Sequence, residues 1–84
     1  MLCALSERAD RDLEKLSPEI KQRIVDKLVY LCENETLLAN SKPLSGSFGG
    51  FFRVRVGDYR VIFDIKDNNQ ILITRIGHRR DIYS

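Results

Sequence analysis

The chain has one His, two Cys and no apolar run approaching the roughly 20 residues that a membrane-spanning helix needs. Each scarcity closes off a class of function. The single His and two distant cysteines, Cys3 and Cys32, supply no paired-ligand spacing, so neither a metal site nor a cofactor is expected. Met1-Leu2-Cys3-Ala4-Leu5 is too short for a signal-peptide core and lacks a basic start, which predicts a cytoplasmic protein without a membrane partner. In that compartment Cys3 and Cys32 are expected as two buried thiols, although their even number also permits a disulfide. Neither an internal repeat nor a low-complexity segment interrupts the sequence. Residues 1–84 therefore read as a single domain whose small core must draw on nearly all its regular elements.

Apolar residues (43%) and charged residues (31%) fit a globular chain rather than a disordered one. The net charge of +2 is modest, but its distribution is uneven. Residues 1–50 carry seven Lys/Arg against eight Asp/Glu, whereas residues 51–84 carry seven against four. Six of those later seven are Arg, whose planar fork of donors matches a phosphate and stays protonated near neutrality. A local cationic patch of this kind argues for an anionic partner.

Periodicity supplies the elements. Leu2-Cys3-Ala4-Leu5 suits a short strand. Ser6 is a helix N-cap followed by Glu7, and Ala9, Leu13 and Leu16 recur at helical spacing, predicting a helix over 7–16. Ser17-Pro18-Glu19 restarts the pattern with a cap, a Pro at the first helical position and an acid in the first turn. The stripe Ile20, Ile24, Leu28 and Leu31 carries that second helix to residue 33. The short link makes the pair an antiparallel helical hairpin. Residues 39–50, rich in Gly and Ser, read as a loop. Beyond it, 52–56 and 59–65 alternate with period two around a Gly57-Asp58 turn. Gln70 to Ile76 forms a further strand. The expected fold is α+β: a short N-terminal strand and a two-helix hairpin packed on a three- to four-stranded, mainly antiparallel sheet.

Hairpin register is the most telling consequence. With Gly57 and Asp58 as the turn, Val54 faces Val61 and Phe52 faces Phe63 on the face that packs under the helices. The other face sets Arg55 opposite Arg60 and Arg53 opposite Ile62. Like charges directly opposite each other cost about 0.2–1 kcal/mol, so a sheet that keeps them has a use for them. An even-numbered turn at Asp67-Asn68 or Asn68-Asn69 places Ile71, Ile73 and Arg75 on this basic face as well; a three-residue loop reverses that. On the even reading, strand parity sends Gly77 and Arg79 towards the basic face and His78 away from it, unless Gly77 introduces a bulge.

The chain closes on Gly77-His78-Arg79-Arg80-Asp81-Ile82-Tyr83. Together with Lys42-Pro43-Leu44-Ser45-Gly46 and the Phe52–Phe63 hairpin, this ending resembles the RelE/ParE toxin superfamily, and within it the RelE branch. The resemblance spans nearly the whole chain and implies a toxin of a type II toxin–antitoxin pair. Such a toxin is a metal-independent endoribonuclease, or mRNA interferase. It cuts mRNA on the ribosome by attack of the substrate's own 2′-hydroxyl on the adjacent phosphate, inhibiting translation. It also implies a cognate antitoxin bound as a heterodimer or heterotetramer. Carried over residue by residue, Arg60 matches the arginine that holds the phosphate and Arg79 the one associated with the leaving group. Tyr83 matches the tyrosine that stacks on and orients the nucleotide. Arg53 and Arg55 stand where well-known members have lysines, and Arg75 and Arg80 extend the phosphate-binding set. Since Arg does not give up its proton, the proton carrier is His78 or Tyr83. Two other functions fit the same resemblance: a ParE-like inhibitor of DNA gyrase, and an inactive module that binds RNA or antitoxin.

Overall fold

The computed structural model describes residues 2–46, 49–67 and 70–83. The chain runs β1 (Leu2–Leu5), α1 (Glu7–Glu14), α2 (Pro18–Glu33), β2 (Ser41–Pro43), β3 (Phe52–Val56), β4 (Tyr59–Lys66) and β5 (Gln70–His78). The strands form one sheet in the order β1-β5-β4-β3-β2, antiparallel except for β1 against β5. The two helices pack on it, giving the α+β layout that the periodicity implies. None of the described helices is long and apolar enough to cross a membrane.

Capping explains where the helices begin. The Ser6 hydroxyl accepts from the Ala9 N–H at 3.1 Å and donates to the Thr74 carbonyl at 3.2 Å, so one side chain starts α1 and ties it to β5. Ser17 caps α2, with Pro18 at its first position. Helix α1 ends two residues before its expected limit, at Glu14, because Leu16 turns back and donates to the Leu13 carbonyl. The core lies between the helices and one sheet face. Ile24, Leu31, Leu37, Val54, Val61, Phe63, Ile71, Ile73 and Ile76 are each 2% exposed or less. Burial of each such side chain contributes roughly 1.5–3 kcal/mol before the entropy of ordering it.

Three further features depart from the sequence reading. The expected loop over 39–50 contains β2, so the sheet has five strands. Its Ser-Lys-Pro sequence has little strand character, but β3 templates it at the sheet edge, where a Pro without an N–H is tolerated. Next, Lys66 pairs with Gln70, which leaves a three-residue connection and turns Ile71 and Ile73 into the core instead of onto the basic face. Turn-forming residues at 67, 68 and 69 permit either length locally; burial of the two isoleucines decides the register. Asn68 and Asn69 themselves lie outside the described residues. A bulge then corrects the parity: Phe63 pairs with Ile73 but Ile62 with Arg75, so Thr74 is the extra residue. Its hydroxyl donates to the Ile62 carbonyl at 3.2 Å. Arg75 thus returns to the basic side by a route different from the even turn.

The third departure is covalent. Cys3 and Cys32 form a disulfide joining β1 to the last turn of α2, rather than standing as two buried thiols. Cys3 is exposed on the edge strand and Cys32 is buried. Compartment preference pointed to thiols; the docking of β1 beside β5 brings the two Cα atoms within 6.8 Å.

Candidate functional site

The Gly57-Asp58 turn sets the site. Gly57 has φ +60°, in the left-handed region where a side chain is strained, and the turn closes a hairpin with the expected pairs. Val54 faces Val61 and Phe52 faces Phe63 on the core side, with the two Phe rings stacked at 5.6 Å. On the outer face one row runs Lys42, Arg53, Ile62, Arg75 across four strands. The next runs Arg55, Arg60, Gly77. Lys42 is a cation that periodicity missed, because only the unforeseen β2 aligns it with Arg53.

Arg60 stands at the centre. Its guanidinium donates to the carbonyls of Tyr59 at 2.9 Å and Gly57 at 3.1 Å, which hold it over the turn. Desolvation first, then the charges of Arg55 and Arg53, pull its pKa below the ordinary arginine value; Arg79 adds to this and Tyr83 opposes it. Arg remains charged throughout. The physical content is that four arginines and one phenol share a field, and that an anion placed among them relieves the repulsion.

The closing residues reach this face through Gly77. After His78 the chain coils: the N–H groups of Asp81 and Ile82 donate to the His78 carbonyl at 2.9 and 3.0 Å, and the Arg79 N–H donates to the Asp58 carbonyl at 2.8 Å. Ile82 is buried to 1% exposure but stands apart from the main core. Its Cδ1 lies 3.1 Å from where a Cβ on Gly77 would be. The missing side chain at 77 is therefore the seat of Ile82. That seating brings the half-exposed Tyr83 within electrostatic reach of Arg60. Ile62, also 1% exposed, is another buried aliphatic on this outer face.

The remaining candidates divide. Arg79 and Arg80 are exposed, and Arg79 makes a long 3.9 Å contact with exposed Asp58 that contributes little. Arg75 lies in the outer row, but its Nε donates to the Asp12 carboxylate at 2.9 Å. Asp12 also accepts the Ile76 N–H at 3.0 Å and lies 3.5 Å from Arg8. Burial pushes the Asp12 carboxyl up, but the Ile76 and Arg75 hydrogen bonds, with the charges of Arg75 and Arg8, outweigh it and hold the pKa below the usual carboxylate range. Arg75 thus binds α1 to the free edge of β5. His78 pairs with Tyr59, on the opposite parity from Arg60, and their rings meet edge to face at 5.3 Å. Its Nδ1 accepts the Arg80 N–H at 3.2 Å. Gly77 leaves strand parity intact, so the geometry gathers Arg53, Arg55, Arg60, Arg79 and Tyr83 and leaves His78 on the other side.

Known proteins resemble the chain over nearly its whole length. A family model described as the ParE toxin of type II toxin–antitoxin systems, parDE, matches residues 4–83. Toxin RelG of Mycobacterium tuberculosis is 38% identical over 76 residues, covering 89% of this chain and 86% of its own. Among solved structures, the toxin–antitoxin complex RelBE2 of M. tuberculosis contains a similar chain with TM-score 0.81 and 32% identity. The match covers 93% of this chain and 96% of that one. The RelB–RelE antitoxin–toxin complex of Methanococcus jannaschii gives TM-score 0.73 at 26% identity, over 99% and 95% of the two chains.

Proposed function

The chain belongs to the ParE toxin family of type II toxin–antitoxin systems, and from that premise we propose that it is a ribosome-dependent mRNA endonuclease. The observation that carries the reading is the cluster of Arg53, Arg55, Arg60 and Arg79 with Tyr83 on one sheet face, centred on an arginine whose neighbours repel its charge. A gyrase inhibitor that works by binding protein has no need of such a phosphate seat.

In this reaction the substrate's 2′-oxygen forms a bond to the adjacent phosphorus as the bond to the 5′-oxygen breaks. One proton must leave the 2′-hydroxyl and one must reach the departing oxygen. Arg60, fixed by two carbonyls, holds the non-bridging oxygens, on which charge grows in the transition state. Arg53 and Arg55 add to that field, and Arg79 attends the leaving oxygen. Tyr83 stacks on the nucleotide and aligns the attack. Its place beside Arg60 favours it over His78 as proton carrier. Arg80 and Lys42 extend the grip on the flanking backbone. Translation in the cytoplasm supplies the substrate, and a cognate antitoxin, as a heterodimer or heterotetramer, holds the toxin in check; in support, the similar solved structures include toxin–antitoxin complexes.

Primer extension on mRNA translated in the toxin's presence tests the reading. Cleavage should fall on the order of 10²–10³-fold for Arg60→Ala, by analogy with loss of one oxyanion donor. Undiminished cleavage by folded Arg60→Ala would sink the assignment. Intact mRNA with inhibited gyrase supercoiling would instead favour the ParE-like activity, and an absence of growth arrest the inactive module. In single-turnover cleavage on programmed ribosomes, Tyr83→Phe should lose more activity than His78→Ala.

A further inference from the structure

A second cationic feature lies outside the sheet face. Between α2 and the β3–β4 turn is an open cleft of about 650 Å³, lined by Arg23, Asp26, Lys27, Arg55, Val56 and Gly57. Arg23 and Lys27 are four apart on α2 and so project on one side of it. Arg23 extends towards the turn: its Nη1 lies 3.7 Å from where a Cβ on Gly57 would be. Both are exposed, as is Arg55. Among the described residues none of the three forms an ion pair. The cleft's one carboxylate, Asp26, accepts a hydrogen bond from Gln22 at 2.7 Å. Three cations thus line the cleft against one carboxylate among the described residues, which leaves a local excess of positive charge.

Arg55 belongs to both regions. On the sheet it stands opposite Arg60. It also lies past the end of β2, which pairs only with Phe52–Val54, so the strand edge beside it is open towards α2. The cationic surface therefore continues from Arg60 through Arg55, around that edge, to Lys27 and Arg23. Continuous from the sheet face into the cleft, these charges suit a polyanion with repeating phosphates.

We propose that this cleft is a second phosphate subsite, binding the RNA backbone one or more nucleotides away from the scissile linkage held at Arg60. The proposal rests on the reading of the sheet face as an RNA site. Arg23 and Lys27 supply position and affinity and take no part in the chemistry.

The test uses a 12-nucleotide 2′-O-methyl RNA, which cannot be cut, with binding followed by fluorescence anisotropy across a salt series. The double variant Arg23→Gln/Lys27→Gln should make the slope of log K against log[salt] shallower by about 0.7–1.4, the loss of one to two single-strand phosphate contacts. Binding at low salt should weaken roughly three- to tenfold, and Asp26→Asn should tighten it. Arg60→Ala serves as the reference. If the wild type fails to bind, the subsite is overturned while the ribosome-dependent reading of the sheet face stands; if Arg60→Ala binds unchanged, the sheet-face reading falls and the subsite with it. If binding depends on Arg60 but the double variant keeps the wild-type slope, the subsite alone is overturned. The same holds if the double variant loses affinity only for an acidic protein partner.

Discussion

Asp12→Ala should destabilise the fold by about 2–4 kcal/mol, although Asp12 touches no proposed substrate. The magnitude follows from its three partners. The Ile76 N–H, buried on β5, loses its acceptor, at about 1–3 kcal/mol for an unsatisfied buried donor. Arg75 loses a charge-assisted hydrogen bond, but its side chain is 31% exposed, so water takes up part of that loss. The Arg8 pair is more exposed and contributes only about 0.3–0.5 kcal/mol. Asp12→Asn retains an acceptor for Ile76 and gives up only charge, so it should cost about half as much. For a domain of this size each kcal/mol moves the melting midpoint by about 4–8 °C. Urea unfolding with circular dichroism measures both variants. The pH dependence adds a check. A carboxyl whose folded pKa is depressed contributes stability fully above its unfolded value, near 3.9, and loses it as pH falls through the lower folded value. The gap between wild type and Asp12→Asn should therefore be constant from pH 7 to about 5 and shrink as pH falls below 4. An Asp12→Ala protein within 0.5 kcal/mol of wild type, or a gap that widens in acid, refutes the idea that this carboxylate locks α1 to β5.

Gly77→Val should lift Ile82 off the sheet and displace Tyr83, reducing mRNA cleavage by on the order of 10²-fold while the folded state survives, since Ile82 lies outside the main core; wild-type cleavage by the variant would show that the closing turn is not seated there. Reduction of the Cys3–Cys32 bridge, or Cys3→Ser, should lower the unfolding free energy by about 3–4 kcal/mol, from the 29-residue separation it closes. Coincident urea midpoints with and without reductant would count against it.

Much of the site was legible because it rests on neighbours in sequence. A two-residue turn at Gly57-Asp58 sets every pair in the hairpin, so Arg55 opposite Arg60 and Arg53 opposite Ile62 follow from counting. The capped starts of α1 and α2 are equally local. Other features depend on residues far apart. Lys42 joins Arg53 only through β2, whose sequence does not ask to be a strand. Asp12 looks like an ordinary helix-face acid until β5 presents the Ile76 N–H and Arg75 to it. The disulfide depends on β1 docking beside β5.

By itself, then, the sequence determined the α+β class, the hairpin and its opposed arginines, because helix caps and a tight turn act over a few residues. Tertiary structure alone decided the three-residue connection, the bulge at Thr74, the seating of Ile82 on Gly77 and the side of the sheet that His78 faces. Each of these is a choice among locally equivalent conformations. What separates them is the burial of isoleucines and the pairing of polar groups between distant elements, energies that exist only once the elements have met.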